Sequence, residues 1–292
     1  MLPFAFATSI LAAVAIVYVG LLRAQVQQNR HQLVAAVGVT QLLTLAQMLA
    51  VLRRFGIAWG EPFASLLAFL DIFSFDFEML SFSCVTTMGP VVSFAVRVLM
   101  IPGILLSTAV VSLVHAALLA GPCRYTSKLS LGIHFRHLLK TAGALFMVLF
   151  IILFSMFLAP FQCRLHPNGR YTVQTYGSVH CDDEQHYQMF VLGILSCSPG
   201  SLPLLYLTFC TWLVVMELPR RLARSDTGFL QDCSFLIIRF RTGAEISSVA
   251  FLIRNVLVVL SPLPVAVSSK LLMMSLVLLS NLVLVAYFQP WS

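Results

Sequence analysis

Charge is what this chain has least of. Only 10% of its 292 residues are Asp, Glu, Lys or Arg, against about a quarter in a soluble domain. That scarcity excludes an ordinary water-facing surface. With 59% hydrophobic residues and a mean hydropathy of +0.93, the composition is that of a polytopic membrane protein. Dense Lys/Arg runs and base-stacking aromatic motifs are absent, so the net charge of +7 is not a nucleic-acid footprint. The chain has no Walker phosphate loop, no His-Glu-x-x-His and no Gly-x-Ser-x-Gly. An enzyme is therefore the class least expected, and nothing calls for a cofactor. The 7 cysteines are too scattered for the disulfide framework of a small secreted domain. Cys197 and Cys210 fall in an apolar run, while Cys123 and Cys233 fall in polar segments.

Long apolar runs are what the chain does have, and the run at 141–160 is the most informative. It carries no charge and at 1.5 Å per residue reaches ~30 Å, the thickness of a hydrocarbon core. A polar loop follows at 161–188. Pro167, Asn168 and Gly169 combine turn chemistry, and residues 171–176 alternate and are rich in β-formers, which predicts a short hairpin. Cys163 and Cys181 flank it. A disulfide between them fits the oxidising side of a membrane; the other reading is two free thiols in a cytosolic loop. Cys84 is a competing partner.

The remaining runs lie at 3–22, 32–52, 98–120, 190–217, 248–267 and 271–288. Together they predict an all-α membrane protein, a seven-transmembrane-helix bundle in one domain over 1–292 with a disulfide-closed external hairpin. The first run lacks a basic leader and a small-residue cleavage site, so it reads as a membrane helix and not a signal peptide. Gln41 and Gln47 in the second should face protein and not lipid. Arg97 can snorkel at the outer end of the third. Pro199, Gly200 and Pro203 interrupt the fifth, which predicts an outer extension over 190–197 and a span over 201–217, with a simple kink or a cavity-lining break between them.

Two segments are amphipathic. Residues 63–84 are rich in Phe yet hold Asp71, Asp76 and Glu78. An acid at mid-membrane costs ~2.5–3.5 kcal/mol, so this segment is not a span. Phe73, Phe75 and Phe77 alternate with Ser74, Asp76 and Glu78, which predicts an extended piece at the surface. The three acids then form an outer rim, either a cation-attracting mouth or a solvated edge. In 227–241, Phe229, Leu230, Cys233, Leu236, Ile237 and Phe240 share one helical stripe, with Phe235 and Ile238 off it. This predicts a helix along the inner membrane surface, its Arg239 and Arg241 meeting anionic inner-leaflet lipids.

Orientation follows from the cations. With the 161–188 loop outside, the N-terminus is outside and the C-terminus cytoplasmic. Most of the 18 Lys and Arg then fall inside: Arg23, Arg30, the cluster from Arg124 to Lys140, Arg220, Arg221, Arg224, Arg239 and Arg241. Arg53, Arg54, Arg164, Arg170 and Lys270 fall outside. That excess obeys the positive-inside rule and is independent of the cysteine argument. A plasma-membrane or endomembrane protein is implied.

Polar residues inside the runs are the candidate sites. Arg254 and Asn255 lie in the sixth and Asn281 in the seventh. By helical rise Arg254 is ~10 Å from the inner end, where a cation needs a partner, water or a snorkelling path. Glu217, at the inner end of the fifth run, is the nearby acid on another helix, so an Arg254–Glu217 contact is expected, with Asn255 and Asn281 adding hydrogen bonds. No metal site is expected. His134 and His137 are only two ligands, and His166, His180 and His186 with Asp182, Asp183 and Glu184 have the composition of a solvated loop.

Two passages carry a resemblance: Cys163-Arg-Leu-His166-Pro167-Asn168-Gly169 continuing to Tyr176, Cys181, His186 and Met189, and Phe235-Leu-Ile-Ile-Arg239-Phe240-Arg241 followed by Arg254. Together they resemble the C-terminal multi-pass region of large surface proteins of single-celled eukaryotes, which carry cysteine-rich, ephrin-receptor-like repeats ahead of the membrane. That region is likened to transient-receptor-potential-like channels. The resemblance implies a channel-like module, with a homo-oligomer as one form. The alternatives are a seven-helix surface receptor or sensor, or the membrane anchor of a lost cysteine-rich ectodomain, since the chain opens on its first apolar run. No selectivity-filter sequence is present, no Asp-Arg-Tyr ends the third run, and no Asn-Pro-x-x-Tyr lies in the seventh.

Overall fold

The structure, a computed structural model, describes residues 30–70, 89–120, 142–144, 146–166, 169–198, 201–224, 228–229, 233, 236, 244–264 and 266–289. The run at 3–22, the rim acids Asp71, Asp76 and Glu78, the histidines His134 and His137, Cys84 and Cys123, and most of 227–241 lie outside these residues.

The described chain is mostly helical. Helix α1 is Arg30–Arg53. It tightens at its end through Arg54 and Phe55 amides donating to the Val51 and Leu52 carbonyls, and Gly56, at φ 71°, turns the chain away in the left-handed region that a Cβ disfavours. Helix α2, Phe63–Leu70, is opened by the Glu61 carboxylate, which accepts from the Ser65 amide and hydroxyl. Helix α3, Pro90–Ala120, starts on a proline, where the missing N–H has no helical partner to lose. Helix α4 is Phe146–Phe157. Strands β1, Cys163–Leu165, and β2, Tyr171–Val173, pair antiparallel with Cys163 opposite Val173. Helix α5, Glu184–Ser196, is capped by Asp183, whose Oδ1 accepts the Glu184 amide at 2.8 Å. Helix α6 begins at Leu202–Trp212 and runs unbroken to Ala223. Helices α7, Ile246–Leu260, and α8, Val267–Phe288, complete the described elements.

Several expected boundaries move. The outer extension expected over 190–197 forms the last turns of α5, which starts earlier, at Glu184, and packs on α3. The span expected to end at Glu217 continues to Ala223 through one π turn at Leu213–Glu217. Pro219 accounts for that turn: it has no N–H to give and its ring crowds the carbonyl four residues back, so the helix widens by one residue instead of breaking. The run 248–267 is helical only to Leu260, 15 residues or ~22 Å, because Pro262 and Pro264 cannot continue it. Among the described residues two helices, Leu202–Ala223 and Val267–Phe288, are long and apolar enough to cross a membrane; Gly38–Arg53, Pro90–Leu99, Phe146–Phe157 and Ile246–Leu260 are shorter apolar helices.

The core is built on α4. Met147, Phe150, Ile151, Phe154 and Leu158 meet Met48 and Val51 of α1, Cys210, Leu213 and Val214 of α6, Leu252 and Val258 of α7, and Met274 and Val277 of α8. Cys233 and Leu236 are buried in the same cluster with Phe229 against it, so the described members of the 227–241 stripe turn toward the bundle. A smaller cluster sits under the hairpin, where Phe94 of α3 meets Val173, Tyr176, Val179 and Met189.

One end of the bundle gathers the hairpin and a particular set of helix ends. Gln174 donates to the Arg54 carbonyl at 3.0 Å, and Arg54 donates to Ser155 O at 3.3 Å. Arg97 lies over the Tyr176 ring at 5.2 Å. Buried Lys270 reaches Phe55 O at 3.5 Å. The ends of α1, α4 and α7 and the starts of α3, α5 and α8 therefore share the hairpin's side.

Close approach makes Gly193 a checkpoint of this packing. A Cβ there would lie 2.9 Å from the Phe161 ring and 3.3 Å from Phe157 O. Gly193→Ala is expected to destabilise the protein by ~1–3 kcal/mol, read as a lower Tm in detergent; an unchanged Tm would mean that α5 does not sit this close to α4.

Candidate functional site: a cavity at Arg254

A cavity of about 480 Å³ lies between α1, α6, α7 and α8, away from the hairpin. Its wall is mostly aliphatic and aromatic, including Phe251, Leu284 and Phe288. Among the described residues Arg254 is the one charged side chain lining it, and Gln41, Asn281, Thr211 and Ser247 are polar side chains on its wall. Thr211 is committed to the Leu207 carbonyl at 2.8 Å, which satisfies a hydroxyl inside an apolar helix. Val215, in the π turn of α6, also lines the cavity. The predicted inward turn of Gln41 and Gln47 is seen: Gln41 borders the cavity and Gln47 is buried.

Arg254 is positioned by its own helix. Its Nε and Nη2 donate to Asn255 Oδ1 at 3.2 and 2.8 Å. Its guanidinium carbon stands 3.9 Å from the centroid of the Phe251 ring, a cation–π contact that strengthens where water is excluded. Asn255 is buried and its amide Nδ2 has no hydrogen-bond partner among the described residues, nor has Gln41 Nε2.

The expected Arg254–Glu217 contact is replaced by two local ones. Glu217 accepts from Arg221 Nε at 2.8 Å, one turn along the same helix, while Arg254 turns to Asn255. The physical reason is proximity: an i, i+4 acid–base pair needs no second helix to bring it together. Asn281 reaches the cavity as expected of a bundle-facing amide.

The disulfide reading is correct. Cys163 and Cys181 are bonded, their Cα atoms 6.4 Å apart, and they close the hairpin together with the Thr172–His180 bridge. Two of the loop histidines have structural partners. His166 Nε2 lies 2.7 Å from Thr172 Oγ1, and His186 Nε2 donates to Pro160 O at 3.0 Å. Cys163, Cys181 and His186 stand close enough for a metal, but both sulfurs are oxidised and ligate nothing as a disulfide. No protein-family model, curated protein or solved structure matches this chain.

Sequence reasoning named Arg254 and Asn281 but not the space between them. That space depends on Val215, Ile246 and Phe288 from helices far apart in the chain, and no local pattern announces it. Double-mutant cycles check the new pairing. Arg254→Leu and Glu217→Gln should be additive within about 0.5 kcal/mol, whereas Arg254→Leu and Asn255→Leu should couple by ~0.5–3 kcal/mol. Coupling in the first cycle and none in the second would restore the interhelical bridge.

Proposed function

We propose that this chain is a multi-pass membrane protein of receptor or sensor type, which holds a small amphipathic ligand in the cavity at Arg254. The observation that carries the membrane reading is α8. It is apolar along its length, yet only 11% of its most apolar stretch is buried. Leu272, Leu276, Leu279, Leu282 and Val283 are all exposed on it. A soluble core helix would be covered, and a soluble surface would not carry so large an apolar patch; in a bilayer these side chains meet lipid.

The seven-span topology, N-terminus outside and C-terminus cytoplasmic, is part of the same proposal. The helix ends on the hairpin's side are the ones that the cation distribution assigns to the outer face, and a disulfide belongs there. A ligand-binding role is favoured over a channel because, among the described residues, the one charge lining the cavity is a guanidinium, which repels cations in a low-dielectric wall. The channel-like module implied by the resemblance to protist surface proteins is the second reading, supported by the break between α5 and α6.

The chain has no Asn-x-Ser/Thr of its own, so added acceptors report on a clean background. A sequon placed within 169–180 is expected to be glycosylated and one placed within 124–138 is not. Modification of the second and not the first would invert the topology.

A further inference from the structure

We infer that the Arg254 cavity is a site for a single-chain lipid anion, a free fatty acid whose carboxylate sits on Arg254 and whose chain lies along α7 and α8; this rests on the reading that these helices stand in a bilayer. Three features of the site converge on that chemistry.

The first is charge. Among the described residues no carboxylate lines the cavity, and Glu217, the acid expected to answer Arg254, is bound to Arg221. Asn255 takes Nε and one N–H of Nη2, and the ring of Phe251 takes one face of the guanidinium. That leaves Nη1 and the remaining Nη2 hydrogen, which is the donor geometry that a carboxylate meets with two oxygens. Gln41 adds a polar side chain to the same wall.

The second is access. Val215, Ile246, Ile253, Leu284 and Phe288 line the cavity and are exposed, so the cavity is open along an apolar rim. The wall is thus continuous with the lipid-facing side, and the ligand enters sideways from the hydrocarbon and not from water. A water-borne anion such as inorganic phosphate would have to cross that apolar rim without its hydration shell, at a cost its charge makes prohibitive.

The third is depth and size. Arg254 is ~12 Å along α7 from its first residue, deeper than the plane where phosphodiester headgroups lie. A carboxylate on a single chain can follow it there. About 480 Å³ falls in the range of roughly 300–1,000 Å³ that holds one drug-sized molecule, the size class of one fatty acid and well short of a two-chain phospholipid.

The test is photolabelling of the purified full chain in detergent with a diazirine-bearing fatty acid, the matched fatty alcohol and a diazirine-bearing phosphatidic acid. Labelling by the fatty acid is expected on peptides from α7 and α8 and should be competed by oleate. Arg254→Leu should reduce it by ~10–100-fold, the factor lost with a charge-assisted hydrogen-bonded pair. Ala250→Phe, which fills the cavity and keeps the guanidinium, should abolish it as well, and decides the matter if Arg254→Leu does not fold. Equal labelling by the alcohol, stronger labelling by phosphatidic acid, or wild-type labelling of Ala250→Phe would each overturn the site. Carbonate extraction of the source membranes reports separately on the membrane reading: release of the chain would overturn that reading, whereas Arg254-dependent labelling would still support the fatty-acid site.

Discussion

The burial of α4 is the constraint on which the rest depends. Phe150 has no exposed surface, and Phe146, Phe154 and Phe157 are nearly as covered. About 18 Å of helix, at 1.5 Å per residue, must be filled by neighbours, and α1, α6, α7 and α8 all supply them. On the membrane reading proposed above, the gain is not release of water, because a hydrocarbon tail is as apolar as leucine; it is close packing and satisfied polar groups. This is why Gly193 matters, and why Tyr206 reaches across to the Gly143 carbonyl at 3.0 Å while its ring lies 4.9 Å from that of Phe146.

The same economy governs charge. With so few ionised side chains, those that enter the bundle among the described residues have identifiable partners. Arg54 and Lys270 reach backbone carbonyls, Arg97 lies over Tyr176, and Glu217 is answered by Arg221. These contacts hold the hairpin end together, where the disulfide adds a covalent closure that restricts the unfolded loop. Arg254 differs from the others in that its partners, Asn255 and Phe251, are both neutral. Its positive charge remains uncompensated among the described residues, beside a cavity.

A neutral partner orients a guanidinium without cancelling its field. The cavity therefore combines an apolar wall, a fixed cation and spare amide donors, a combination suited to recognising an anion that carries its own hydrocarbon. Its position at the end of the bundle away from the hairpin leaves the disulfide-closed end as scaffold. The π turn of α6 lies against this cavity and not against the hairpin, consistent with the tendency of such turns to occur at functional sites.

The sequence by itself determined the helical class of the described chain and its local punctuation. Low charge and long apolar runs announced apolar helices, and Cys163, Gly169 and Cys181 announced a closed hairpin, because composition and turn chemistry are local properties. It also marked Arg254 as unusual, since a cation in an apolar run is costly wherever the run folds. It misjudged how helices end: Pro262 stops α7 early, while Pro219 is absorbed into α6 by widening a turn, and the two outcomes differ only in what packs around each proline. It also assigned Arg254 the wrong partner, for Asn255 and Phe251 lie on its own helix and the choice among nearby groups turns on rotamers that packing selects. The cavity was decided by tertiary structure alone, because its walls come from four helices separated by up to the length of the chain, and a volume between helices has no periodicity to read.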